Sequence, residues 1–158
     1  MDLAHSQAVK HMSMELYVFR REELTVDPLK LKGALESLGL EATVLHDFES
    51  ADGFWPVEMA GVTAGVEIYL DHDVAEISED CPVLEAALDG HDKLVTFVWH
   101  QLGEGGTALV LAAALAKLGD VVIYEPSEDV VFSPERSAQE GMEFLEEAKK
   151  NGEFSGSE

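Results

Sequence analysis

The stretch "HQLGEGGTALVLAAALAKLGDVVIYE", residues 100–125, holds the spacing most suggestive of chemistry. Gly103-x-Gly105-x-x-Ala108 fits the G-x-G-x-x-G/A pattern in which glycines let backbone N–H groups approach a dinucleotide pyrophosphate. Gly103, Gly105 and Gly106 lie between an apolar run and an apolar helical segment, and Glu125 ends the next run where a ribose-binding carboxylate would stand. Three features oppose a nucleotide site. Only 33 of the 158 residues follow Glu125, too few for the strands such a fold adds. Glu104 places a carboxylate beside the supposed phosphate, and no lysine follows the glycines as a Walker A loop requires. The favoured reading is an exit turn with Thr107 as helix N-cap. No cofactor is expected, and nucleotide binding or catalysis at Gly103–Gly106 stays as the alternative.

"DHDVAE" gathers Asp71, His72, Asp73 and Glu76 in six residues, oxygen-rich ligands of the kind that suit Ca²⁺, Mg²⁺ or Mn²⁺. The order is not that of an EF-hand loop, so acids capping the next helix are preferred over a metal site. His46-Asp47, His91-Asp92 and His100 offer acid–base groups, but neighbours on a strand point to opposite faces. Cys81 precedes Pro82 with no nucleophile motif around it, and reads as a small residue at a helix start. There is no G-x-S-x-G, H-E-x-x-H or C-x-x-C pattern, so a non-catalytic protein is favoured over an enzyme.

Charge is the strongest remaining pointer. The chain has 10 basic and 32 acidic residues, a net charge of −22, which disfavours nucleic acid and anionic membrane as ligands. From Gly33 through Asp92 there is no Lys or Arg but 15 Asp or Glu, so those 60 residues carry −15 of the total. General solubility or salt adaptation accounts for such acidity as well as a binding surface does. The functional reading is a surface for a basic protein partner, with Asp71, Asp73, Glu76, Glu79 and Asp80 as contacts and Trp55 as aromatic anchor. Phe54 and Met59 lie in the same stretch. Self-association as a homodimer is left open.

The elements that must carry these residues follow from periodicity. "MELYVFR" (14–20), "ATVLHDF" (42–48), "KLVTFVWH" (93–100) and "VVIYEP" (121–126) read as strands, and "FWPVEMAGVTAGVEIYLDHD" as a hairpin bulged near Gly61 and Gly65. Helices are expected after Asp27-Pro28, over "CPVLEAALDG", over "TALVLAAALAKLG" and after Ser133-Pro134. The order β-α-β-β-β-α-β-α-β-α predicts a single-domain α+β sandwich, with a mixed, largely antiparallel sheet and helices mainly on one face. "HM" at His11–Met12 has the look of a cloning junction, so residues 1–12 are set aside as an added or unstructured leader. Residues 13–152 form the expected domain and 153–158 a frayed tail. The start lacks the apolar core of a signal peptide and one cysteine suits a reducing compartment, so a cytoplasmic location is expected.

Residues 112–148 contain "LAKLGDVVIYEPSEDVVFSPERSAQEGMEFLEEA", under a quarter of the chain. This ending resembles that of small acidic bacterial toxin-immunity-type proteins and uncharacterised α/β sandwich domains. There an alanine-rich helix, a short strand ending in an acid and proline, and a final helix close the sandwich. The resemblance implies a bacterial, non-enzymatic protein, leaves its partner unidentified and carries over no site residue; immunity or inhibitor action on a basic partner is the expectation that the charge adds.

Overall fold

The computed structural model describes residues 14–59 and 62–152. The expected leader and tail lie outside the described residues, as does Gly61. Seven strands form one sheet: β1 (Met14–Arg20), β2 (Ala42–Val44), β3 (Gly53–Met59), β4 (Val62–Tyr69), β5 (Lys93–Trp99), β6 (Val121–Glu125) and β7 (Val130–Phe132). Their order across the sheet is β2-β3-β4-β5-β1-β6-β7. Every described pairing is antiparallel, so the α+β fold is realised without a parallel ladder. The reason lies in β1, which inserts between β5 and β6 and separates the two strands that run the same way. The β3–β4 register runs unbroken from Gly53↔Ile68 to Met59↔Val62, so the bulge expected at Gly65 is absent.

Five helices complete the chain: α1 (Pro28–Ser37), α2 (Val74–Ser78), α3 (Pro82–Ala87), α4 (Leu102–Leu118) and α5 (Pro134–Lys150). α1 starts where Asp27 accepts from Lys30 N and Pro28 supplies a pre-set φ, and it stops before Gly39 at φ +88°. Ser133 caps α5 in the same way, accepting from Arg136 N. Trp55, Val57 and Met59 alternate with exposed or half-exposed neighbours along β3, the period-2 pattern of a strand with one buried face.

That buried face meets α1, α4 and α5. Leu16, Val18, Val95, Phe97, Val66 and Ile68 pack against Leu31, Leu35, Leu111, Leu115 and Leu145 in the main core. α4 is apolar nearly all round because it is sandwiched: the sheet lies under it and α5 crosses it at Gly106 and Gly141. On the opposite face, Tyr17, Phe19, Leu94, Val122 and Tyr124 are covered by α2 and α3 through Leu84, Ile77, Leu88 and Val74. This second cover lies over the β5–β1–β6–β7 part of the sheet, where Val131 of β7 joins it. Over β3 and β4 the same face is open, with Phe54 60% exposed.

Candidate partner-binding face

The open face is built by the alternation of β3, β4 and β5. Phe54 pairs with Glu67 and Pro56 with Gly65, while Tyr69 pairs with Thr96 on β5. Phe54 lies over Gly65, which has no side chain to displace it. Tyr69 Oη donates to Glu67 Oε1 at 2.6 Å, and this bond, with partial burial and the Glu67 and Asp52 charges, pushes its phenol above the ordinary range. The His72 ring stacks on Tyr69 at 5.8 Å, and its Nδ1 lies 2.8 Å from Thr96 Oγ1. His100 Nε2, at the end of β5, lies 3.5 Å from Glu67 Oε2.

His72 ties this platform to the acidic segment. Asp71, Asp73, Glu76, Glu79 and Asp80 are all exposed, on the chain that carries α2 and its flanks across the sheet. Asp73 accepts from Ala75 N at 3.1 Å as N-cap of α2, and Glu76 sits in its first turn, the capping role that the sequence suggests. Among the described residues no Lys, Arg or His is ion-paired with any of these five carboxylates. The metal alternative at Asp71, His72, Asp73 and Glu76 finds no support: no group of three or more His, Cys, Asp or Glu among the described residues could hold an ion.

Trp55 is not on this surface. It is 2% exposed, turned to the main core, and stacks edge-on against Phe48 at 5.7 Å. Its neighbour Phe54 holds the outward position, because successive strand residues alternate faces. Trp55 is therefore unavailable as the expected anchor, and the exposed ring of this strand is Phe54.

The glycine turn also differs from expectation. α4 starts at Leu102, so Gly103, Gly105 and Gly106 are helical and buried and Thr107 is no N-cap; its Oγ1 donates to Gly103 O at 2.8 Å. Glu104 instead accepts from His100 N at 2.9 Å, setting its own charge against the partial positive charge of the helix start. A Cβ at Gly105 would meet Trp99, and one at Gly106 would meet Leu145 and the Gly141 carbonyl. These glycines clear room for neighbours rather than cradling phosphate.

No family model, curated protein or solved structure matches the chain.

The other sequence candidates separate. His91 is buried, its Nδ1 accepting from Asp89 N at 3.1 Å and its Nε2 3.2 Å from Asp120 Oδ2 without an aligned hydrogen bond. Arg21 bonds the same Asp120 oxygen at 2.9 Å and, with His91, holds that carboxyl below its usual range. His46 and Asp47 are exposed on the loop after β2, where Asp47 caps a 3₁₀ turn over Phe48–Ser50. Cys81 donates to Tyr124 Oη at 3.0 Å and to Asp129 Oδ1 at 3.3 Å, tying α3 to the β6–β7 turn. Burial and the Asp129 and Cys81 contacts push the Tyr124 phenol up. Glu125 is 7% exposed and lines a cavity of about 320 Å³ with Trp99, Leu109, Phe132, Glu140 and Phe144. Sequence reasoning missed Glu67, Tyr69 and Phe54 as a unit, although their alternation could have placed all three outside the core. No described helix is long and apolar enough to cross a membrane.

Proposed function

We propose that this is a non-catalytic acidic binding protein, of immunity or inhibitor type, that neutralises a basic protein partner. The carrying observation is the union of five exposed carboxylates (Asp71 to Asp80), none ion-paired among the described residues, with an aromatic platform of exposed Phe54 and half-buried Tyr69. Carboxylates without internal cations keep their full field for a partner, speeding encounter and fixing orientation. An aromatic side chain among them supplies the apolar contact that charge alone lacks. Bound in this way, the protein covers the Lys and Arg of its partner, and blockade follows from occupancy and sterics.

The test is capture of partners from lysate of the source organism by the full chain, at low and then raised salt, with mass spectrometry. The reading expects a basic protein that is released as the Debye length falls from about 8 Å at 0.15 M to about 3 Å at 1 M salt. It also expects capture to fail for the triple variant Asp71→Lys, Asp73→Lys, Glu76→Lys. A complex indifferent to both salt and charge reversal would sink it.

A further inference from the structure

We propose that the cavity at the C-terminal ends of β5 and β6 is a binding site for an organic cation, an ammonium or guanidinium group carried on an apolar body. It lies on the helix-covered side of the sheet, apart from the open face, and stands or falls independently of the partner reading.

Three observations converge on that chemistry. The first is size and lining: the cavity encloses about 320 Å³, with Trp99, Leu109, Phe132 and Phe144 giving it apolar and aromatic walls. That is at the lower end of the roughly 300–1,000 Å³ of small-ligand sites.

The second is Glu125. The residue is only 7% exposed, and its carboxylate is fixed by hydrogen bonds from Ser127 Oγ at 2.7 Å, Ser127 N at 3.2 Å and Glu128 N at 2.7 Å. No described cation pairs with it. A buried carboxylate is ordinarily matched by a positive group, and none of the described residues supplies one here.

The third is the charge of the rim. Glu128 and Glu140 also line the cavity, and Arg136 lies 3.1 Å from the first and 2.6 Å from the second, with its guanidinium 4.0 Å over the Phe132 ring. Three carboxylates against one guanidinium leave two negative charges. The start of α4 opposes a cation through its partial positive charge, but Glu104 folds back onto His100 N there. An entering cation meets the Glu125 carboxylate and the electron-rich faces of the aromatic walls, and its apolar body replaces water along Leu109 and Phe144.

The experiment titrates the full-length protein with phenethylammonium, with blocked lysine (Nα-acetyl-lysine N-methylamide) and with 2-phenylethanol, a neutral counterpart of the first. Tryptophan fluorescence reports through Trp99, and calorimetry gives the affinity. At least one of the two cations is expected to bind saturably, with the alcohol about tenfold weaker or more, the size of one charged hydrogen bond. Glu125→Gln should weaken the cation about as much and leave the alcohol unchanged. Binding by the free amine alone marks a small-molecule site, whereas comparable binding of blocked lysine marks a socket for a side chain of another protein. The proposal is overturned if neither cation binds at millimolar concentration, or if amine and alcohol bind alike. Should Glu125→Gln fail to fold, the amine–alcohol comparison on the unaltered protein decides alone.

Discussion

The Trp99 indole occupies the space that a side chain at Gly105 would need, its Nε1 lying 2.5 Å from where an ideal Cβ would stand. A glycine that invites a nucleotide reading is thus a clearance for a tryptophan that walls the neighbouring cavity.

Gly105→Ala is expected to destabilise the protein even though alanine is the better helix former. The gain in propensity, about 1 kcal/mol, is outweighed by moving a rigid, packed indole, for which overpacking costs about 1–3 kcal/mol. Gly33→Ala is the control with the opposite sign. Gly33 lies within α1 with nothing within 4 Å of an added Cβ, so the substitution should stabilise by about 0.5–1 kcal/mol. Thermal melts of both variants check this, at about 2–4 °C per kcal/mol for a chain of this size.

Arg20 is 3% exposed and meets Glu49 through two bonds of 2.6 and 2.8 Å, while Glu49 also accepts from Val26 N at 2.8 Å. Burial pushes the Glu49 carboxyl up, but the Arg20 and Val26 donors prevail and hold it below 4.5. A depressed folded value means the stabilisation is complete above the unfolded value and is lost as pH falls through the folded one. Glu49→Ala leaves Arg20 buried without its counter-charge and should cost about 3–5 kcal/mol near neutral pH. Urea melts of Glu49→Ala and the unaltered protein should show a gap that narrows below pH 4.5. A constant gap would remove the ion pair as its cause.

Phe54 and Trp55 should behave as opposites. Phe54→Ser removes a 60% exposed ring and should leave the melting temperature within a few degrees while abolishing partner capture. Trp55→Ser hollows the core beside Phe48 and should cost about 3–5 kcal/mol. Equal loss of stability in the two variants would contradict the placement of the faces.

Asp129 adopts φ 56° and accepts from Tyr124 Oη at 2.5 Å. Asp129→Asn tolerates the left-handed backbone but weakens the bond, so a small loss of stability is expected. Asp129→Val loses the bond and also meets the steric cost of that backbone, so its loss should be the larger of the two. Chemical denaturation of both variants ranks them.

Legibility in the sequence followed the reach of each signal. The starts of α1 and α5 were readable because a capping side chain, a proline and a terminating glycine act within a few residues. The α+β class was readable from the alternation of apolar runs with capped helices. β7 was missed because Val130–Phe132 is too short to show a period, and its place depends on pairing with β6. α2 is likewise hidden, because its five residues, Val74–Ser78, are too few to show a period between the acids that flank them. β2 ends at Val44 rather than Phe48, because Asp47 caps a 3₁₀ turn that buries Phe48 under Trp55. α4 starts at Leu102, ahead of the cap expected at Thr107, and its Gly105 and Gly106 admit the close approach of Trp99 and α5. The acidic stretch was legible as composition, but which aromatic ring accompanies it turned on the parity of one strand.

The position of β1 between β5 and β6 has a consequence for biosynthesis. The first described strand to leave the ribosome finds its neighbours only in residues 93–99 and 121–125. Until those residues emerge, Leu16, Val18 and Phe19 have no ladder to join, while β3 and β4 can already close as a local hairpin. Closure of the sheet is therefore a late, non-local event, the kind of topology that slows folding, and the nascent chain carries the apolar β1 without its sheet neighbours until residues 93–99 have emerged.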